Sequence, residues 1–559
     1  MLVFKHIKFA YLAGGKVYSV TTGKTVENSR VKLKVENTGG VISASVETAT
    51  PITLLRLSAE FEYDFKSVSR IFLNGYQSWT DSVEHTTADR LHGIGHIPKP
   101  LADRYAFSQY GDYTFTHYSM KKGSMHGFSY GYVRNYDVYD FIGSLNEQSG
   151  FTTIRTECSA GKLLAFKECN DLKIENSFDG LKLYIGQGSE DEVFDEWFRL
   201  MGIARRPASP VKGYTSWYRH YQDISEEILT ADMEGSELSE EDIFQIDDGW
   251  QTAVGDWLSV DKEKFPNGMK AMTDKLKECG KGRAGLWLAP FVCEEKSVLF
   301  REHQDWLVKD KNGRPVKAGS NWSGFYALDI YKEDFRAYLK EVFDTIIGEW
   351  GFCGLLKLDF LYGACIVPRE DKTRGMIMAD GMKLLRELAG DTPILGCGVP
   401  LASAFGMAEY CRVGCDVALD WDDKPYMKFM HRERPSTKNC ILNSVFRRQL
   451  NKRAFLLDPD VYLLRDTETS MTADQRRCLI GINTLTGGVL FTSDNAAEYS
   501  DEQKQMYEEA AKLAGRKIIS AELNGSELIL RLGGEEGTEI KTYDMSALPD
   551  IGIKRLLGQ

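Results

Sequence analysis

Eight short apolar runs recur between Tyr214 and Thr492, separated by longer segments whose apolar residues have helical spacing. They are Tyr214–Tyr218, Ile243–Ile246, Ala284–Leu288, Leu355–Asp359, Pro393–Leu395, Arg412–Asp416, Ala454–Leu457 and Gly488–Thr492. Strand and helix in alternation leave few choices. Each strand needs a long crossover to reach a parallel neighbour, the crossover has one hand, and eight such units close on themselves. The pattern predicts an α/β fold with a (β/α)8 TIM barrel over residues 213–514.

The chain before the barrel reads differently. Leu55, Leu57, Ala59, Phe61, Tyr63 and Phe65 alternate with Arg56, Ser58, Glu60, Glu62 and Asp64, the period of a strand with one wet face. Val31–Glu36 and Val41–Val46 are similar and are joined by the turn-prone residues 37–40. An antiparallel β-sandwich is predicted for residues 1–190. Val193, Phe194, Trp197, Leu200 and Met201 then have helical spacing up to Gly202, and a Pro-containing linker follows, so 191–212 reads as helix and linker. Ser500 and Gln503 form a capping-box pair at the start of a closing helix. Three short strand-like runs after it predict a small C-terminal β domain over 515–559.

Barrel chemistry gathers at the C-terminal ends of strands. Here those ends are polar or aromatic: Trp217 to His220, Asp247-Asp248, Trp287, Lys357 with Asp359, Cys397, Asp416, Asp458 and Asp460, and Asp494. Lys357 and Asp359 are two residues apart on one strand, so they share a face, and an acid and a base on an apolar strand are costly unless they pair or react. Two carboxylates at strand ends, Asp359 and Asp416, suit glycoside hydrolysis, with one ionised nucleophile and one protonated acid. Asp359 is the nucleophile candidate, and Lys357 is expected to keep it ionised. Asp416 is the acid/base candidate, with Asp420, Asp422 and Asp423 as rivals. Arg412 is expected to bind substrate rather than pair with Asp416, because a close pair would lower the acid's pKa. Asp247 and Asp248 can hydrogen-bond adjacent sugar hydroxyls or, alternatively, hold a divalent cation. Trp217, Trp250 and Trp287 are candidate walls for the apolar face of a pyranose.

Composition narrows the partners. The net charge of −12 lacks a basic run, against a nucleic-acid or anionic-membrane partner. No stretch has the length of a membrane span, and Lys5, His6 and Lys8 interrupt what would be a signal peptide's apolar core. Eleven scattered cysteines without a CxxC pair fit a reducing, cytoplasmic setting, and no ligand set for a metal is evident.

The segments FQIDDGW, GLWLAPF, LLKLDF, ILGCG and RVGCD, in this order, together with NGYQSW at 74–79, resemble glycoside hydrolase family 36, the α-galactosidases of clan D, and especially its short bacterial cytoplasmic members. The likeness runs from about residue 70 to about 495. It implies a retaining exo-α-galactosidase with Asp359 as nucleophile and Asp416 as acid/base, and no metal or cofactor. It implies that Asp247 and Asp248 bind the 4- and 6-hydroxyls, that Lys357, Arg412, Cys397, Trp217 and Trp287 line the same subsite, and that Trp79 reaches in from the first domain. The implied partner is a small-molecule α-galactoside. Cys415 before the acid/base departs from expectation. The small residues of Val399–Phe405 are expected near C2 of the sugar, which leaves N-acetylgalactosamine open. Residues 85–110 are expected on the leaving-group side, with contacts unspecified. An α-N-acetylgalactosaminidase, a transglycosylase on the same scaffold and a non-catalytic sugar-binding protein are the alternatives. Natural aglycone, pH optimum and oligomeric state are not legible.

Overall fold

The computed structural model describes residues 1–169, 171–424, 427, 430–534 and 537–546. Its first part is two antiparallel sheets, one of seven and one of eight strands, between Val3 and Gly188. Their inner faces share a core that includes Phe9, Leu33, Val46, Phe61, Ile142 and Leu183. The predicted hairpin pairs Val31–Thr38 with Val41–Thr48 across Gly39 and Gly40. Both glycines have positive φ, which matches a two-residue turn to the twist of its strands. The strand predicted with one wet face, Ile52–Glu62, is central in its sheet, with Arg56 and Glu62 exposed on the polar side and Ser58 and Glu60 buried there. Its polar side is closed by Glu60, which Lys8 and Lys162 from the flanking strands each meet at 2.7 Å. Those hydrogen bonds, Lys162 first, bring the Glu60 carboxyl down to about 2.

The helix Glu190–Met201 follows, capped by Ser189 with Glu192 and ended by Gly202 in the left-handed conformation. It buries Val193, Phe194, Trp197 and Phe198. The barrel strands come next: β1 (Val211–Thr215), β2 (Ile243–Ile246), β3 (Arg283–Leu288), β4 (Leu355–Leu358), β5 (Ile394–Gly396), β6 (Tyr410–Arg412), β7 (Leu456–Asp458) and β8 (Val489–Thr492). Every neighbouring pair is parallel, from β1 with β2 round to β6 with β7. Closure uses a break in the seventh strand. After β7 the chain kinks at Pro459-Asp460, with Asp460 at φ 69°, and resumes as Val461–Tyr462, which pairs with β8. The eighth side is completed by β8 with β1. Two of the predicted runs lie late by two or three residues, because β1 and β6 start earlier than the apolar maximum suggests.

One predicted helix is missing. Between β5 and β6 there is only the turn Leu401–Ala404, since Gly398, Pro400 and Gly406 break the segment and both glycines have positive φ. Phe405 instead packs on Trp197 and Phe198, so the helix before the barrel covers that side. The β3–β4 connection adds a three-stranded antiparallel sheet, Val292–Glu294, Lys317–Gly319 and Phe325–Ala327, which carries Ser320 to Trp322 to the barrel mouth. After the capped helix Asp501–Ala511, the strands Lys517–Asn524, Glu527–Gly534 and Gly537–Asp544 form the last sheet. The remainder of the predicted C-terminal domain, 547–559, lies outside the described residues. Among the described residues no helix is long and apolar enough to cross a membrane.

Candidate active site

A cleft of about 730 Å³ opens at the C-terminal ends of the barrel strands. Asp359, Asp416, Asp247, Asp248, Lys357, Trp79, Trp217 and Trp287 all line it. Arg412 and Cys397 do not. They lie behind its wall, buried, as does Trp250, whose indole N–H donates to the Trp287 carbonyl at 3.1 Å.

Asp359 follows β4 directly. Its backbone N–H donates to the Leu288 carbonyl on β3 at 2.8 Å, which prolongs the strand pairing by one residue and aims the side chain into the cleft. Phe360 then turns away at φ 52°. The carboxylate accepts from the Phe360 backbone N–H at 2.8 Å and from the Trp287 indole at 3.1 Å. Lys357 does not serve Asp359 as expected. Its ammonium sits 2.9 Å from Asp247 on the neighbouring loop. Burial opposes the lysine's charge most strongly, but its neighbours together, Asp247 first and Asp359 a smaller contributor, outweigh it, and the Lys357 pKa is raised. Asp247 also accepts from Gln245 at 2.7 Å. Asp248 accepts from Gln222 at 2.7 Å, Gln251 at 2.5 Å and the Trp322 indole at 2.8 Å. Its carboxyl is pushed up by burial, against those hydrogen bonds. Both carboxylates are thus occupied by donors, the arrangement of a polar recognition floor rather than of a cation cage.

Asp416 has a different setting. Arg412 donates from one Nη to Asp416 at 3.0 Å, so the expected separation of this pair does not hold. The same guanidinium reaches Asp458 at 3.0 Å through Nε and Asp460 at 2.7 Å through its other Nη. One cation therefore serves three carboxylates. Asp460 additionally accepts from the Val417 backbone N–H at 2.7 Å and from the Tyr218 hydroxyl, and Asp458 accepts from the Asp460 N–H at 2.9 Å. Asp416 is left with Arg412. Its carboxyl is 37% exposed, on the side that lines the cleft. Burial raises its pKa to about 7, with Arg412 opposing and Asp460 and Asp359 adding. The expectation that a close arginine would spoil the acid fails because burial outweighs an arginine that Asp458 and Asp460 also share. The rivals are elsewhere: Asp422 pairs with Arg434 at 3.0 Å, and none of Asp420, Asp422 and Asp423 lines the cleft.

The N-terminal segment Asn74–Trp79 enters the barrel mouth. Trp79 donates from its indole to Cys397 Sγ at 3.3 Å and packs edge-on against Phe360, with ring centres 5.0 Å apart. Arg447 holds the segment. Fully buried and facing only neutral acceptors, it donates to Asn74 Oδ1 at 2.9 Å and to the carbonyls of Ser78 and Val413 at 2.7 Å. Burial lowers this guanidinium to about 10. The loop also covers Val399, whose carbonyl accepts from the Ser78 N–H at 2.9 Å. As a result Val399–Phe405 does not line the cleft, contrary to expectation. Sequence reasoning missed Trp322, which bonds Asp248, and the roles of Asp458, Asp460 and Tyr218. The two aspartates stood at a strand end in sequence, but nothing local tied them to Arg412.

Residues 207–360 match the Melibiase family model. The chain is similar, at 26% identity and a TM-score of 0.71, to the solved α-galactosidase of Thermus thermophilus in complex with p-nitrophenyl α-D-galactopyranoside, over 94% of this chain and 99% of that one. These likenesses support the resemblance to the α-galactosidases of glycoside hydrolase family 36. A segment of 173 residues is 31% identical to the α-galactosidase AgaA of Geobacillus stearothermophilus, and one of 125 residues is 35% identical to the A type blood α-D-galactosamine galactosaminidase of Flavonifractor plautii. Those matches span 23% and 11% of the two relatives' lengths.

Proposed function

We propose that this protein is a retaining exo-α-galactosidase that releases terminal galactose from short α-galactosides. The observation that carries the reading is the opposed setting of two carboxyls in one cleft: Asp359 held by N–H donors, Asp416 raised to about 7. That is the division of labour a double displacement needs. Asp416 gives its proton to the glycosidic oxygen as the bond to the anomeric carbon breaks. Asp359 attacks that carbon from the opposite face and forms a β-galactosyl ester. The leaving alcohol departs, Asp416 takes a proton from water, and the water oxygen displaces Asp359 to give α-galactose. Asp247, Asp248 and Lys357 bind sugar hydroxyls, while Trp79, Trp217 and Trp287 enclose the ring. Arg412 and Cys397 act from behind the wall, the first by positioning Asp416 and the second by holding Trp79.

The division into 1–190, 191–212, 213–514 and 515–559 is part of this reading, as is a cytoplasmic setting, for which the eleven free cysteines speak. The test is hydrolysis of 4-nitrophenyl α-galactoside followed by NMR. α-Galactose as the first product supports retention, and β-galactose would refute it. The match to the α-D-galactosamine galactosaminidase favours a second reading, a glycosidase that accepts nitrogen at C2 of the sugar, of which an α-N-acetylgalactosaminidase is one form. Turnover of the two nitrophenyl glycosides side by side decides between them.

A further inference from the structure

The cleft changes character from floor to rim. Its floor is charged, with Asp247, Asp248, Lys357 and Asp359. Its outer side is built from Leu101, Tyr105, Phe107, Met430, His431 and Pro435. Leu101 and Tyr105 are 43% and 41% exposed and lie together on one side of the cleft. The aromatic members form a ladder: Tyr105 stacks on Phe107 with centres 5.6 Å apart and 17° between planes, Phe107 lies 5.1 Å from His431, and His431 stacks on Tyr110 at 4.7 Å and 5°. Pro435 adjoins Ser436, whose N–H donates to the Asp416 carbonyl at 2.9 Å, so the rim continues from the acid/base.

Apart from His431 Nδ1, which lies 3.4 Å from Glu433 without a hydrogen bond, polar groups on this side are largely spent on the protein itself. Glu433, fully buried, accepts from Thr80 and Tyr113, each at 2.8 Å. The Tyr110 hydroxyl bonds Asn321 at 2.6 Å and the Ser320 N–H at 2.8 Å. A leaving sugar would bring hydroxyls to a surface with few free partners, and each hydroxyl dehydrated without one weakens binding. A flat or extended apolar group would instead cover exposed apolar area.

We propose that the rim formed by Leu101, Tyr105, Phe107, Met430, His431 and Pro435 is an aglycone subsite for an apolar leaving group, aryl or long-chain alkyl. The inference rests on the galactosidase reading, because the occupant is whatever Asp416 protonates and expels. Its chemistry narrows that reading away from purely saccharide leaving groups.

The test compares kcat/KM of wild type, Leu101→Ala and Tyr105→Ala on 4-nitrophenyl α-galactoside, melibiose and α-galactosyl fluoride, whose leaving group is too small to reach the rim. Within each substrate the variant-to-wild-type ratio cancels leaving-group reactivity. The expected result is a loss on the nitrophenyl substrate about tenfold greater than on the fluoride, with melibiose following the fluoride. Equal losses on all three, no loss on any, or the greatest loss on melibiose would overturn the proposal. Wild type supplies a second arm independent of the variants: octyl α-galactoside should exceed methyl α-galactoside about tenfold in kcat/KM, and parity would count against the subsite. Failure of wild type to turn over even α-galactosyl fluoride would instead overturn the parent reading.

Discussion

The end of β4 and the junction of β6 with β7 both deliver an aspartate to one cleft, and they prepare it in opposite ways. At β4 the nearby cation is already engaged by Asp247, and Asp359 is held by two neutral N–H groups. Such donors suit a carboxylate that only accepts. At β6–β7 a single guanidinium stands among Asp416, Asp458 and Asp460. Burial raises both Asp416 and Asp460; backbone and hydroxyl donors oppose the rise at Asp460, and Asp416, the member with the fewest partners, is the one that lines the cleft. The difference teaches that a neighbouring arginine does not by itself make a carboxyl a strong acid. What counts first is how deeply the carboxyl is buried, and then how many carboxylates share the arginine and which have other donors.

The comparison breaks most visibly at Asp359, the proposed nucleophile. Asp359→Ala should lower kcat on 4-nitrophenyl α-galactoside by at least about 10,000-fold, with azide restoring turnover as β-galactosyl azide. Chromatography of the rescued product checks it, and an active variant would place the chemistry on another strand. Asp416→Asn should cost about 100- to 10,000-fold, more on melibiose than on nitrophenyl galactoside, because a good leaving group needs less protonation. The same variant should lose the alkaline limb of the wild-type profile. That limb belongs near pH 7: Asp416 must carry its proton in the first step, so activity is present below about 7 and falls as pH rises through it.

Two smaller effects sharpen the contrast. Trp287→Phe removes one of the N–H donors to Asp359 and keeps most of the ring. A loss of about 10- to 100-fold in kcat is expected, the worth of a hydrogen bond to a charged acceptor. Asp460→Asn should preserve shape while removing one of the three carboxylates around Arg412. The alkaline limb of kcat/KM should then move towards acid by about one pH unit, with only a few-fold loss at the optimum. An unmoved limb would show that Asp460 has no part in holding the proton on Asp416.

Periodicity made the architecture legible. Eight apolar runs announced the barrel, and the alternation at 55–65 announced a sandwich strand, because which face is buried is a local property of spacing. Asp359 was legible for the same reason: a lysine and an aspartate two apart on an apolar strand point together wherever the strand lies. The missing fifth helix was readable in principle from Gly398, Pro400 and Gly406, but its replacement by Glu190–Met201 was not, since that packing joins segments some two hundred residues apart. The same limit governs the site. Lys357 choosing Asp247 over Asp359, Arg412 gathering Asp458 and Asp460, and Arg447 drawing Trp79 over Cys397 are contacts across strands and domains. Sequence alone determined which strand ends bring charged and aromatic side chains to the barrel mouth. Only the tertiary structure decided which charges share a partner, because partnership depends on distance and dehydration, and neither is set until the barrel closes.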